Sequence, residues 1–268
     1  MTRVRSADCP DQTVGSNSGE VGFAPRSKFI KPPQFKLCIV GERVLMANGN
    51  ALDSPADVMY LIHKALRAEA VAVENLAAKL DTGDSLQQFK LAFNQWASAL
   101  FYHAEQEDTY MTAPLTKSLA EGRAASGPNP GQSSGMSDEM KGMVIAEEEE
   151  LHGQLVSTIE DVLVVLNEEI GKTSLITRTQ QHLYNQVIAL RIAQEDHLDT
   201  EEALIMPMVR EQLTEREQLR LAKAFLIDDQ AQEPRWPYKW IARLLDSEDR
   251  DLLASLEPRF SDLDVAAE

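Results

Sequence analysis

Cysteine is nearly absent. The 268-residue sequence holds two, Cys9 and Cys38, too few for a disulfide scaffold or a thiolate zinc site, and in keeping with a reducing compartment. Basic residues are also short: 26 Lys and Arg stand against 43 Asp and Glu, a formal net charge of −17. A surface of that sign repels phosphate backbones and anionic lipid, which argues against nucleic-acid and membrane partners. No apolar run approaches the roughly 18 residues that a membrane helix needs. The first 20 residues have no apolar core, so a secretory signal is not expected, and the chain reads as cytoplasmic. There is no phosphate-binding G-x-x-x-x-G-K-[ST] loop, no G-x-G-x-x-G after a strand and no G-x-S-x-G elbow. Neither an organic cofactor site nor a nucleophilic triad is therefore expected. Glycine (13) and proline (12) are sparse and fall mostly between long segments, the mark of a helical protein.

Residues 1–34 are polar, rich in Ser, Gly and Pro, and read as a disordered tail. Residues 35–53 form a lead-in whose short apolar runs are compatible with a strand or hairpin. From 54 to 213 the pattern is helical. Ser54-Pro55 opens a first helix reaching about Leu80, with an inward stripe of Met59, His63, Leu66, Ala70, Val73 and Ala77. A second helix covers about 85–117, with Ala92, Trp96, Ala99, His103, Glu107 and Tyr110 facing inward and Pro114 as a kink. A polar loop, 121–137, follows. The third helix runs from about Asp138 to Ile170, stopping at Gly171, with Ile145, Glu148 or Glu149, His152, Leu155, Ile159, Leu163 and Leu166 inward. The fourth runs from about Ser174 to Leu213, with Leu183, Val187, Leu190, Gln194, His197, Glu201, Leu204 and Met208 inward. Four long helices joined by two short links and one longer loop predict an all-α, up-down-up-down four-helix bundle. Residues 214–268 form an appendix. Thr214 and Glu217 make a capping box for a fifth helix, and Trp236, Tyr238 and Trp240 begin further short helices that cap an open end.

Four of the five histidines, His63, His103, His152 and His197, fall one per long helix, each on the inward stripe. A buried imidazole must satisfy both ring nitrogens, so four in one core need a shared partner. Two repeat a motif: His103-x-x-x-Glu107 and His197-x-x-x-Glu201, each followed by a proline, Pro114 and Pro207. On a helix the i and i+4 side chains share a face, so an imidazole and a carboxylate reach one point. Unpaired, Glu107 and Glu201 would cost several kcal/mol each in an apolar core; metal ions offset that. Four imidazoles and two carboxylates, without thiolate, exceed one tetrahedral zinc and suit a pair of iron or manganese ions. His182 lies off the stripe and reads as a surface histidine.

On these residues the sequence resembles the haemerythrin-like, HHE cation-binding family over about 54–213. The resemblance implies a non-haem di-iron centre, the two irons joined by an oxo or hydroxo bridge, with Glu107 and Glu201 bridging and His63, His103, His152 and His197 terminal. Manganese or zinc are less favoured occupants. It further implies an iron position open to dioxygen or peroxide. The oxygen-carrying members have His-x-x-x-His on the third helix; here Glu148 stands four before His152. Either Glu148 or Glu149 is then a candidate seventh ligand, and more acidic ligands favour the ferric state. The expected role is iron and oxygen binding or sensing rather than dedicated catalysis. The alternatives are a di-iron oxidase or peroxidase-like enzyme, for which Tyr102 and Tyr110 are candidate electron relays, and an iron-responsive module that presents its state to a separate protein partner.

Overall fold

The computed structural model describes residues 52–80, 83–122, 135–166 and 177–264. The expected tail, nearly all of the lead-in, most of the 121–137 loop and the Gly171 stop lie outside the described residues. Contacts divide the chain after Val44, and the described residues all belong to the second compact unit. Every regular element among them is helical.

Ser54 caps the first element as its sequence predicts. Its hydroxyl accepts from Ala56 N–H while Asp57 accepts from Ser54 N–H at 3.0 Å, around a 3-10 turn at Pro55–Asp57. The turn leads into α1 (Val58–Ala77). The whole predicted stripe of α1 is buried, and so are Leu61, Ala65 and Glu69. The reason is that α1 is covered on two flanks. It packs along α2 (Gly83–Glu107) and α5 (Thr177–Thr200), and on its other side against α8 (Trp236–Leu244) and α9 (Ser247–Ala254). Helix α4 (Asp138–Val164) packs along α5 and, less extensively, α2.

The second and fourth predicted helices are long rods interrupted by one wide turn each. After α2 comes a π turn, Asp108–Thr112, and then α3 (Ala113–Ala120). After α5 comes a π turn, Glu201–Ile205, and then α6 (Met206–Gln212). The Ala113 amide bonds to Asp108 O and the Met206 amide to Glu201 O, five residues back in both. Pro114 and Pro207 stand in the first turn of the α segment that follows. A proline has no N–H and crowds the carbonyl four back, and just before each one stands a wide turn of the kind that occurs singly inside α-helices. The expected kink at Pro114 is thus a π turn.

That extra residue corrects two inward assignments. Tyr110 is exposed and Met111 is buried in its place; Leu204 is half-buried while Ile205 is buried. Each slip is one position, as an inserted residue requires. In α4, Leu163 is likewise half-buried beside a buried Val162.

Thr214 and Glu217 form the expected capping box of α7 (Glu215–Leu226). α7 packs on the 3-10 turn, on α2 and on the π turn at 108–112, and α8 packs on α1 and α7. Trp236 and Trp240, with Phe225 and Ile241, line a gap against Ile62, Ala99 and His103. Trp236 and Trp240 of the appendix therefore sit beside the α1–α2 seam, whereas the sequence places the appendix aromatics over an open end of the bundle. No helix among the described residues is long and apolar enough to cross a membrane.

Candidate metal centre

The six side chains singled out by their spacing come together. His63 stands on α1, His103 and Glu107 at the end of α2, His152 on α4, His197 on α5 and Glu201 where the π turn of that rod begins; all six are buried. They form two overlapping clusters, each able to hold a metal ion: His63, His103, Glu107 and Glu201 in one, and Glu107, Glu148, His152, His197 and Glu201 in the other. Within each cluster the donor atoms lie within 4.8 Å of one another. Glu107 and Glu201 belong to both.

Glu107 faces both ways. Its Oε1 lies 2.7 Å from His103 Nε2, and its Oε2 lies 2.9 Å from His152 Nε2 and 3.8 Å from His197 Nε2. Glu201 Oε2 is 3.4 Å from both His63 Nε2 and His197 Nε2, and 3.8 Å from His103 Nε2. The rings pair edge-on across the centre, His63 with His103 at 5.3 Å and His152 with His197 at 4.9 Å.

Of the two acidic candidates on α4, Glu148 is the buried one and Glu149 is exposed. Glu148 Oε1 lies 3.0 Å from His197 Nδ1 and 3.3 Å from His152 Nε2. Helical periodicity alone leaves adjacent residues nearly equivalent at the edge of a stripe, and the packing of α4 on α5 decides between them.

Many of these donors are unsatisfied within the protein. His63 Nε2, both nitrogens of His103 and of His197, Glu107 Oε1, and both oxygens of Glu148 and of Glu201 have no hydrogen-bond partner among the described residues. They are close in distance but not aligned as hydrogen bonds. Buried polar atoms are normally satisfied, and here the orphans cluster at one place and consist of transition-metal donors. The donor set fits a cation.

Charge tells the same story. Burial pushes the His63 imidazole down, but the Glu201 and Glu202 carboxylates outweigh it and raise it to about 9. Burial is likewise outweighed at His197, by Glu201 and then Glu107 and Glu148, to about 10, and at His152, by Glu107 and Glu148, to about 12. Glu107 is held well below the usual carboxylate range, since the imidazoles, His103 foremost, overcome its burial.

Sequence reasoning did not find three further residues at the margin. Asp108 meets His152 Nδ1, Glu202 meets His63 Nδ1, and Arg67 binds Glu202. The available signal was the acidic residue directly after each motif glutamate. Gln194 is buried and accepts an interhelical hydrogen bond from Trp96 Nε1 at 2.6 Å. Tyr102 donates to Ala224 O and packs edge-on against Trp236, while Tyr110 is exposed; His182 is exposed too. No protein-family model matches this chain, and no curated protein or solved structure matches it either.

Proposed function

We propose that the chain is a haemerythrin-like, non-haem di-iron protein that binds iron and, through it, dioxygen or a related small oxidant. In this reading α1, α2 with α3, α4, and α5 with α6 are the four rods of an up-down-up-down bundle. Glu107 and Glu201 are shared by the two irons, the four histidines are terminal, and Glu148 is a further ligand beside His152 and His197. The observation that carries it is the pair of buried donor clusters joined by two glutamates. Bound iron supplies reversible one-electron chemistry and a coordination position for a small oxidant.

The surrounding residues limit what can arrive there. Four donors converge in the His63 cluster against five in the other, so a six-coordinate ion has more room on the His63 and His103 side. On that side Phe225 packs 5.3 Å from His103, and a gap of only about 10 Å³ lies among Ile62, Ala99, Phe225, Trp236 and Ile241. That is the lower limit for a single water molecule, and the lining is mostly apolar. Such walls leave little room on that side for bulk water or a large organic substrate.

Glu148 favours a role in which the oxidant is sensed or consumed. A third carboxylate stabilises the ferric state more than the ferrous, which opposes reversible release. Elemental analysis of protein produced with added iron tests the proposal: two irons per chain and ferric charge-transfer absorption are expected. Metal-free protein from such cultures overturns it. Repeated turnover of peroxide, as opposed to one stoichiometric oxidation, separates consumption from sensing.

A further inference from the structure

Two acidic residues at the edge of the centre repeat each other. Asp108 directly follows Glu107 and Glu202 directly follows Glu201, so the pattern His-x-x-x-Glu-acid occurs at 103–108 and again at 197–202. A π turn begins at Asp108 in one rod and at Glu201 in the other. In both, the acidic side chain reaches a histidine on a different helix. Asp108 Oδ1 lies 2.9 Å from Nδ1 of His152 on α4, and Glu202 Oε1 lies 2.9 Å from Nδ1 of His63 on α1.

The other nitrogen of each ring faces the glutamate just before. His152 Nε2 is 2.9 Å from Glu107 Oε2, and His63 Nε2 is 3.4 Å from Glu201 Oε2. Each ring is thus held between two consecutive carboxylates of one rod, the inner one in the centre and the outer one at its rim. A histidine ligand gives one ring nitrogen to the metal and keeps its proton on the other, so a ring whose Nδ1–H meets an acceptor outside the centre presents Nε2 to an ion.

We propose that Asp108 and Glu202 are positioning residues of the metal centre. By accepting the Nδ1–H of His152 and His63 they reserve Nε2, the nitrogen that faces the centre, for the metal, and they fix the plane of each ring before the metal arrives. This rests on the two-ion reading above. Each cluster has one histidine whose Nδ1 makes such a hydrogen bond; His197 Nδ1 lies 3.0 Å from Glu148 Oε1 but is not aligned as one. Among the described residues His103 Nδ1 has no such acceptor, and its ring lies instead against Phe225.

The two devices differ in stiffness. Glu202 is itself anchored by Arg67 Nη1 at 2.6 Å, and Arg67 also binds Asp199 at 2.7 Å and Glu195 at 3.1 Å. Asp108 has a side chain that is 56% exposed and, among the described residues, pairs with His152 and with no Lys or Arg. Water can partly replace Asp108 but not the anchored Glu202, so the His63 side is the more strictly oriented.

Titration of the metal-free full chain with Co²⁺, in competition with a chelator and read by the cobalt d–d bands, tests this. Loss of such an outer partner typically weakens a metal site about 10–100-fold. Glu202→Ala is expected near the upper end of that range and Asp108→Ala near the lower, each on one of two ions and each with altered bands. Glu202→Gln and Asp108→Asn retain an oxygen acceptor for Nδ1–H and are expected to recover part of the loss. Glu195→Gln, which removes only a partner of Arg67, is expected to bind as the wild type does. Alanine variants with wild-type affinity and bands, or amide variants as weak as the alanines, overturn the proposal. Circular dichroism checks folding; if Glu202→Ala does not fold, the exposed Asp108 pair decides. A wild-type chain that binds no Co²⁺ and no Fe²⁺ instead sinks the two-ion reading, and this one with it.

Discussion

Glu107 and Glu201 each approach three of the four buried histidines, so neither can be replaced without disturbing both clusters. An amide keeps the shape but forfeits the charge and the second oxygen donor. Glu107→Gln is expected to cut bound iron to less than half the wild-type content, whereas Glu149→Gln, an exposed neighbour of Glu148, should leave it unchanged; elemental analysis of the two purified variants checks this. The raised imidazoles give a second expectation. A histidine raised by folding contributes stability that is fully present below its ordinary value of 6.5 and lost as pH rises through about 9 for His63 and 10 for His197. Glu107 and Glu148 are lowered, so their contribution is present above their ordinary value of 4.5 and lost as pH falls. Metal-free protein should therefore be most stable between those two ordinary values, its Tm falling as pH rises toward 10. A Tm that climbs from pH 6 to pH 10 would contradict this assignment of charge.

The π turns belong to the scale of elements. One starts just after Glu107 and the other at Glu201, each stands just before a proline, and each displaces the inward face by one residue. If the wide turn exists to accommodate the proline, removing its extra residue should expose the conflict. Deleting Tyr110 brings Met111 and Leu115 onto the ordinary α stripe, but it leaves Pro114 inside an uninterrupted helix. The expected cost is about 3 kcal/mol, with most of it recovered when Pro114→Ala is added to the deletion. Urea denaturation of the two variants measures both; a deletion that unfolds at the wild-type midpoint would show that Pro114 does not need the turn.

At the scale of the whole molecule, the appendix completes the core around the centre. Phe225 of α7 is buried and stacks beside His103, and Ile241 of α8 and Leu253 of α9 are buried as well. Arg243 reaches the buried Glu69 of α1 at 3.1 Å, while Lys64 of α1 binds Asp246 at 2.9 Å. Phe225→Ala should lower stability by about 3–5 kcal/mol, the usual cost of emptying a buried aromatic site. It should also open the His103 side to water, so that a chelator strips metal faster than from the wild-type protein. Denaturation and stripping rates together check the claim, and an unchanged stripping rate in a destabilised variant would remove the appendix from any gating role.

Helix type, the capping residues Ser54 and Thr214, and the convergence of one histidine per rod were legible in the sequence. They follow from local chemistry: a period of 3.6 residues, a side chain that caps its own turn, and polar groups that cannot be buried alone. Where periodicity is local, its errors are local too. The slips at Tyr110 and Leu204 arise because a turn one residue wider carries no mark in the pattern itself. Glu148 over Glu149, the reach of Asp108 and Glu202 to rings on other helices, and the seat of the aromatic appendix were settled only by tertiary packing. Each depends on which side chain from a distant part of the chain occupies the facing space, and that is a property of the assembled core and not of any one segment.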